Sequence, residues 1–238
     1  MGNAQSNNAL VPQISPEMAR NGISNRLAMT FEKRVTLKTH LLLADPNSGL
    51  SFAAYAPYSG AYNVILYDGP DASCPVLATA KGIGKWKKDF HVCLPSFPGE
   101  TLDIREELLR SCTVSTKRET YWFGMQVGED QPVERFEWRQ SRGREVKSMG
   151  GRAGWKLVRL GGGLQGLAEE NGTQGSASDG EIVAVWARDD SWSPYKIGEM
   201  RFLGSGATGE FGRLWELMVV LKQAIATVLA LGYDAMMC

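Results

Sequence analysis

The chain has 238 residues, and its 26 basic and 26 acidic side chains give no net charge, so no overall positive field favours nucleic acid. Apolar residues make up 43% of the sequence, which excludes overall disorder and allows a substantial core in one large domain or two small ones. The four cysteines stand far apart without a Cys-x-x-Cys pair, and with only two histidines the sequence predicts no metal site. No apolar signal segment is found near the start, so we expect free thiols in a cytoplasmic protein.

Residues 1–33 are polar and contain Asn, Ser and Pro without a sustained period, which predicts a flexible N-terminal tail. The first six residues fit the N-myristoylation pattern, with Gly2 exposed after removal of Met1 and Ser6 at the sixth position. The alternative is a chance match on a polar tail. One myristoyl chain binds membranes weakly, with a constant of about 10⁴ M⁻¹, so Gly2 would need a second membrane signal.

Residues 34–238 change character, because short β-rich runs alternate with turn residues over most of their length. We expect strands over residues 35–43, 50–55, 62–67, 76–80, 86–94, 102–113, 120–127, 135–139, 145–149, 155–160, 182–187 and 199–203. Residues 102–109 could instead form a short helix. Residues 161–180 hold seven of the 27 glycines and predict a long loop.

The last segment, residues 214–231, is apolar except for Glu216, Lys222, Gln223 and Thr227. A helix that is apolar nearly all round must be buried in lipid or inside its own protein. The run is barely long enough to span a bilayer, and a central lysine costs about 2.5–3.5 kcal/mol on membrane-insertion scales. We therefore expect a buried helix over residues 212–232, with a transmembrane helix as the alternative.

About twelve strands in an open sheet would leave exposed edges, and closure into a barrel removes them. A barrel of that width has an interior that needs filling, and the apolar C-terminal helix is suited to fill it. The sequence thus predicts a mainly β fold, in which a closed barrel of about twelve strands encloses a hydrophobic C-terminal helix.

Several segments resemble the LURP-one-related and fungal tubby-like branch of the tubby C-terminal-like superfamily, over roughly residues 35–232. They are residues 66–70 (LYDGP), 75–78 (PVLA), 136–139 (FEWR), 154–159 (GWKLVR), 183–186 (VAVW) and 214–220 (LWELMVV). The resemblance implies a twelve-stranded barrel threaded by a helix and no general enzymatic activity. Tubby proteins bind phosphoinositides, and scramblases of the same fold carry an acidic calcium-binding segment that this sequence lacks.

Residues 133–160 carry eight basic and three acidic side chains, a local excess of five positive charges (eight minus three). Arginine forks match the geometry of phosphate, and Arg142 and Arg144 flank Gly143 in an expected turn. We predict an anionic-lipid site formed by Arg139, Arg142, Arg144 and Lys156. The alternative is an ordinary solvated barrel surface.

Together these features predict a non-enzymatic adaptor that binds acidic phospholipids, phosphoinositides in particular, on the cytoplasmic face of a membrane. The alternative is a soluble cytosolic module that binds an unidentified protein and no lipid. No catalytic residue or cofactor is predicted, and an enzyme built on Asp189, Asp190 or His91 has no supporting motif. The Gly-x-Gly-x-x-Gly pattern at residues 204–209 lacks the βαβ context of a dinucleotide site, so we expect its glycines to shape the entry into the helix.

Overall fold

The computed structural model describes residues 10–31, 39–57, 63–84, 88–96, 104–115, 118–128, 131–162, 180–191, 193 and 195–236. Twelve antiparallel strands form one closed barrel, in which each strand pairs with its neighbours in sequence and the first pairs with the last. The strands are β1 (Arg26–Phe31), β2 (Thr39–Ala44), β3 (Ser51–Ala56), β4 (Val64–Tyr67), β5 (Val76–Ile83), β6 (Asp89–Pro95), β7 (Ile104–Ser115), β8 (Arg118–Gln126), β9 (Val133–Ser141), β10 (Gly154–Gly162), β11 (Glu181–Arg188) and β12 (Lys196–Phe202). The helices are α1 (Pro16–Asn21), α2 (Arg144–Lys147) and α3 (Arg213–Met236), and a 3-10 helix spans Gly204–Ala207.

The strands alternate between an inner and an outer face, as period-two structure requires. In β9, Phe136 and Trp138 are fully buried, whereas Glu137 and Arg139 between and after them are only partly buried. The inner residues of β9 lie opposite inner residues of β8, such as Phe123 opposite Phe136. In this part of β9 the aromatic residues therefore point into the barrel, whereas Glu137 and Arg139 point outward.

Helix α3 fills the barrel, which confirms the predicted architecture. Residues 214–225 are all buried, and twelve consecutive residues cover more than three turns at about 3.6 residues per turn, so every side of the helix is enclosed. The helix contacts β2 to β6 along one side, and Trp215 lies against Phe136 and Phe202 from β9 and β12. No helix in the described part of the chain has the length and apolarity needed to cross a bilayer.

The glycine-rich approach to α3 is a packing feature. A Cβ on Gly206 would collide with the carbonyl oxygen of Val183 and would lie 3.0 Å from the ring of Trp215. Gly212, immediately before α3, has a φ of 80°, a conformation that glycine adopts without steric strain. These glycines let the chain turn closely over β11 before it enters the barrel, as the sequence predicts.

The expectation of a flexible tail over residues 1–33 is wrong for residues 10–31. Helix α1 is capped by Ser15, whose hydroxyl oxygen accepts a hydrogen bond of 3.0 Å from the amide of Met18, and Met18 is buried. Strand β1 then closes the barrel by pairing with both β12 and β2. The physical reason is tertiary: Leu27 and Met29 are fully buried between these partners, whereas the segment alone has little apolar periodicity.

A second prediction is also wrong, because residues 145–149 do not form a strand. Residues Arg144–Lys147 form the short helix α2, whose Val146 is buried against Val185 and Ala187 of β11. The number of strands is still twelve, since β1 replaces the strand expected here. Residues 104–109 belong to β7, so the helical alternative for residues 102–109 is wrong there. Most of the predicted loop, residues 163–179, lies outside the described residues.

The enclosed helix generates a stability prediction. Leu221 lies in the middle of α3 and is fully buried, so Leu221→Asp would place an unpaired carboxylate in the core. Such a group destabilises a fold by several kcal/mol, which is comparable to the whole stability of many domains. We expect the variant to lose its cooperative thermal unfolding transition in circular dichroism.

The matched control is Leu108→Asp, because Leu108 lies on β7 and is 38% exposed. This substitution introduces the same charge at the barrel surface and should change the melting temperature by only a few degrees. A Leu221→Asp protein that melts as cooperatively as Leu108→Asp would contradict the enclosed position of α3.

Candidate functional site

A half-open cavity of about 1010 Å³ lies at one end of the barrel, where β8 begins, β9 ends, β10 begins and β11 ends. It is lined by Glu119, Thr120, Glu137, Arg139, Gln140, Ser141, Arg142, Ala153, Gly154, Trp155, Lys156, Trp186 and Arg188. Because adjacent strands are antiparallel, this end collects side chains that are far apart in the sequence. We call this cavity the rim cavity.

The register of the sheet sets the positions of its charged residues. Arg139 of β9 lies directly opposite Lys156 of β10. Arg142 follows the end of β9, and Arg188 is the last residue of β11. The lining thus contains four basic and two acidic side chains, an excess of two positive charges (four minus two). An anionic ligand is the chemistry that such a lining favours.

The four cations differ in how far their charge is balanced. Arg139 donates a hydrogen bond of 3.0 Å from Nε to Oε1 of Glu137, which offsets its charge. No ion pair within the described part of the chain involves Arg142, Lys156 or Arg188. Arg142 and Arg188 are also exposed, so they are the cations best placed to meet a ligand.

Lys156 acts on a nearby carboxylate without forming an ion pair. Burial acts to raise the pKa of Glu145, but a short hydrogen bond from the Ser141 hydroxyl and the charge of Lys156 outweigh it, so this pKa is lowered. The charge of Lys156 therefore interacts with a carboxylate of α2 as well as with the rim cavity. Arg142 and Arg188 remain the principal anion-facing groups of the rim cavity.

The structure brings together three of the four residues predicted from sequence. Arg139, Arg142 and Lys156 line the rim cavity, whereas Arg144 begins α2 and is exposed outside the lining. Arg188 was missed, because it follows Lys156 by 32 positions and only the pairing of β10 with β11 brings the two strands side by side. Gly2, the predicted lipid anchor, lies outside the described residues.

Two of the three residues named for the enzymatic alternative accept hydrogen bonds from backbone amides. Asp189 and Asp190 follow β11 and accept hydrogen bonds of 2.7 Å from the amides of Ser191 and Arg152 respectively. Accordingly, the pKa of Asp189 is lowered, first by the Ser191 side chain and then by its amide. His91 is exposed on β6, away from the rim cavity. These contacts are typical of a turn rather than of a pair of catalytic carboxylates.

The inner wall of the rim cavity contains the indole rings of Trp155 and Trp186. The Trp155 ring also forms part of a cage inside the barrel, because its centroid lies 4.3 Å from the amine nitrogen of Lys222. The rings of Trp138 and Tyr121 lie 4.5 Å and 5.1 Å from the same nitrogen. Three aromatic faces thus surround a lysine that projects from the middle of α3.

The amine of Lys222 is isolated from solvent. The residue is 1% exposed, and its nitrogen has no hydrogen-bond partner among the residues that the structure describes. Burial lowers the pKa of Lys222 from its usual 10.5 to about 7, and the charge of Glu119 opposes this shift. The sequence showed Lys222 only as an interruption of an apolar run, so the cage could not be anticipated.

No protein-family model, curated protein or solved structure matches this chain. In the described ranges, no group of three or more His, Cys, Asp or Glu side chains is placed to hold a metal ion. The rim cavity and the caged lysine behind it are therefore the features from which function must be inferred.

Lys222 generates a prediction about stability and pH. Between pH 7 and pH 10.5 the unfolded chain binds this proton more tightly than the folded protein does, because burial lowers the folded-state pKa to about 7. Stability should therefore rise with pH across this window and gain nothing from Lys222 below pH 7. Lys222→Met keeps the length of the side chain without its charge, so we expect it to stabilise the protein at pH 7 by roughly 2–5 kcal/mol.

Denaturant unfolding at several pH values across this window measures both effects. The control is Lys156→Met, which removes a lysine from the barrel surface and should leave the alkaline rise intact. If the free energies of unfolding of the wild type and Lys222→Met change with pH in parallel, the folded state does not lower the pKa of Lys222, and the prediction is wrong.

Proposed function

We propose that this protein binds the phosphorylated headgroups of acidic phospholipids, phosphoinositides among them, through the rim cavity, and acts as a non-enzymatic adaptor at a membrane surface. The observation that carries this proposal is the pair of exposed arginines, Arg142 and Arg188, that border the cavity without an ion pair among the described residues. Arginine presents a planar fork of donors that binds phosphate oxygens two at a time.

The dimensions of the rim cavity support a headgroup as ligand. Its volume of about 1010 Å³ is at the upper end of the range of roughly 300–1,000 Å³ for small-molecule pockets. Trp155 and Trp186 provide apolar walls beneath the basic mouth. A sugar phosphate could place its charges at the mouth and its ring carbons against the indoles.

The outer face next to the rim cavity supports contact with a membrane. On this face, the guanidinium groups of Arg110 and Arg135 lie 5.4 Å and 4.4 Å from the ring centroid of Trp122. Trp122 lies opposite Glu137, which also lines the cavity. Tryptophan favours the interface between lipid and water, and each cation near an anionic leaflet contributes about 1 kcal/mol.

We further propose that the chain is a member of the tubby C-terminal-like superfamily, with phosphoinositide binding as in tubby proteins. A closed twelve-stranded barrel around a hydrophobic C-terminal helix is the architecture that this resemblance implies, and the chain has it. Myristoylation at Gly2 would add a weak anchor that cooperates with the basic cavity on the cytoplasmic face of a membrane.

Charge reversal at the mouth of the rim cavity tests the lipid proposal. Arg142→Glu with Arg188→Glu changes the local charge by four units, and at about 1 kcal/mol per charge we expect vesicle binding to fall about 100-fold or more. Flotation with phosphoinositide-containing vesicles measures the loss. Raising the salt should weaken the wild type in the same direction, because screening shortens electrostatic reach to about 8 Å at physiological ionic strength.

The matched control is Arg144→Glu with Lys147→Glu, which makes the same change in charge on α2, outside the lining of the cavity. We expect this variant to retain most of its binding. Equal losses in both variants would mean that the ligand senses the charge of the whole segment and not the cavity. If the wild-type protein does not bind anionic vesicles at low salt, the lipid proposal is overturned in favour of a protein-interaction module.

The anchor at Gly2 has its own test. Mass spectrometry of the protein purified from its native cells should show an N-terminus that begins at Gly2 and carries one myristoyl group. Gly2→Ala should remove the modification and weaken membrane association without changing the melting temperature. An unmodified or acetylated Met1 would contradict the proposed anchor.

A further inference from the structure

The amine of Lys222 and the rim cavity share one wall. Trp155 lines the cavity, and the same ring lies 4.3 Å from the Lys222 nitrogen on the interior side. Trp155 is partly exposed, whereas Lys222 is fully enclosed. One indole ring therefore contacts both the basic cavity and a buried primary amine.

The surroundings of this amine are unusual for a core. Buried polar groups nearly always have hydrogen-bond partners, yet Lys222 Nζ and the Nε1 atom of the cage residue Trp138 have none among the described residues. The cage offers aromatic faces but no carboxylate in contact with the amine. A desolvated lysine in an apolar pocket is how proteins obtain a nucleophilic amine near neutral pH.

We propose that Lys222 is a covalent acceptor for a small anionic aldehyde that enters the rim cavity. Arg142 and Arg188 attract its anionic group to the mouth of the cavity, and its carbonyl carbon then reaches the Lys222 amine when the ring of Trp155 swings aside. This site shares the cavity with the proposed lipid headgroup but does not depend on lipid binding.

The chemistry is reversible imine formation and needs no oxidant or reductant. The lone pair of the neutral amine forms a bond to the carbonyl carbon, and the carbonyl oxygen takes up a proton to give a carbinolamine. The nitrogen then loses one proton, the hydroxyl group takes up a proton and leaves as water to give a protonated imine, and loss of the second nitrogen proton leaves the imine. The protons are exchanged with water, since no carboxylate contacts the amine among the described residues.

The protonation state favours Lys222 over other lysines. With a pKa of about 7, roughly half of its amines are neutral at pH 7, whereas a solvated lysine is neutral in only about 3 of 10,000 molecules. The neutral fraction thus favours Lys222 by about 1,000-fold, against which its burial slows access. Lys156 lines the same cavity and is an internal competitor with better access.

The test uses the full-length protein at pH 7 with glyoxylate as the anionic aldehyde and cyanoborohydride to fix any imine as a stable carboxymethyl-lysine. Peptide mapping by mass spectrometry identifies the modified residue. We expect modification at Lys222 ahead of Lys156, and we expect Lys222→Met to lose this adduct while remaining folded. Arg142→Glu with Arg188→Glu should slow the reaction at Lys222 at least tenfold.

The role of the shared wall is tested with two aromatic variants. Trp155→Ala should accelerate the reaction at Lys222, because it removes the ring between the cavity and the amine. Tyr195→Ala is the control, since Tyr195 is 47% exposed and lies outside the lining of the cavity, and it should leave the rate unchanged.

Two results would overturn the proposal. One is modification confined to Lys156 and other surface lysines in both the wild type and Trp155→Ala. The other is equal modification of Lys222 by a neutral aldehyde of similar size, which would remove the role of the arginines. If the wild type fails to bind vesicles in the flotation assay, the proposal for Lys222 still stands. If Lys222→Met still binds vesicles, the lipid proposal still stands. The two proposals are therefore tested independently.

Discussion

The fold depends on the burial of α3 inside the barrel. A barrel of twelve strands is too wide to be filled by its own side chains alone, and its inner aromatic residues converge on the helix instead. Trp215 is surrounded by Phe136, Phe202 and Phe211 at centroid distances of 5.5, 5.6 and 4.7 Å. The helix in turn needs the strands, because residues 214–225 expose almost nothing to water. Without the barrel the helix would expose apolar side chains to water, and without the helix the barrel interior would be unfilled.

The start of α3 also holds the segment that closes the barrel. Glu216 accepts a hydrogen bond of 3.0 Å from the amide of Ile23, and Arg213 reaches the same carboxylate at 2.9 Å. Burial raises the pKa of Glu216, while the Ile23 amide and Arg213 act against this rise. Ile23 lies three residues before β1, so this contact positions the strand that joins β12 to β2. Filling and closing the barrel are thus coupled at the helix entrance.

This coupling explains which elements could be predicted from sequence. The apolar run of α3 and the alternation of β9 are both visible in the local sequence, so both can be predicted from it. Strand β1 has six residues and depends on two partners for its burial, which local pattern does not reveal. Helix α2 was mistaken for a strand, because one buried residue, Val146, in four gives no helical period. In the rim cavity, the local sequence is enough to indicate Arg139 and Arg142. Arg188 and the cage of Lys222 are recognised only when the pairing of β8, β9, β10 and β11 is known.

At position 222, the lysine that is present is not the residue that would stabilise the core best. A methionine or leucine would fill the cage without desolvating an ammonium group, and aromatic faces recover only about 2 kcal/mol for a buried cation. The lysine lies beneath Trp155, where the filled core meets the rim cavity. Local choices that oppose stability concentrate at functional sites. The enclosed helix therefore fills the barrel and also presents an amine to the wall of the cavity, which links the element that stabilises the fold to the surface proposed to bind a ligand.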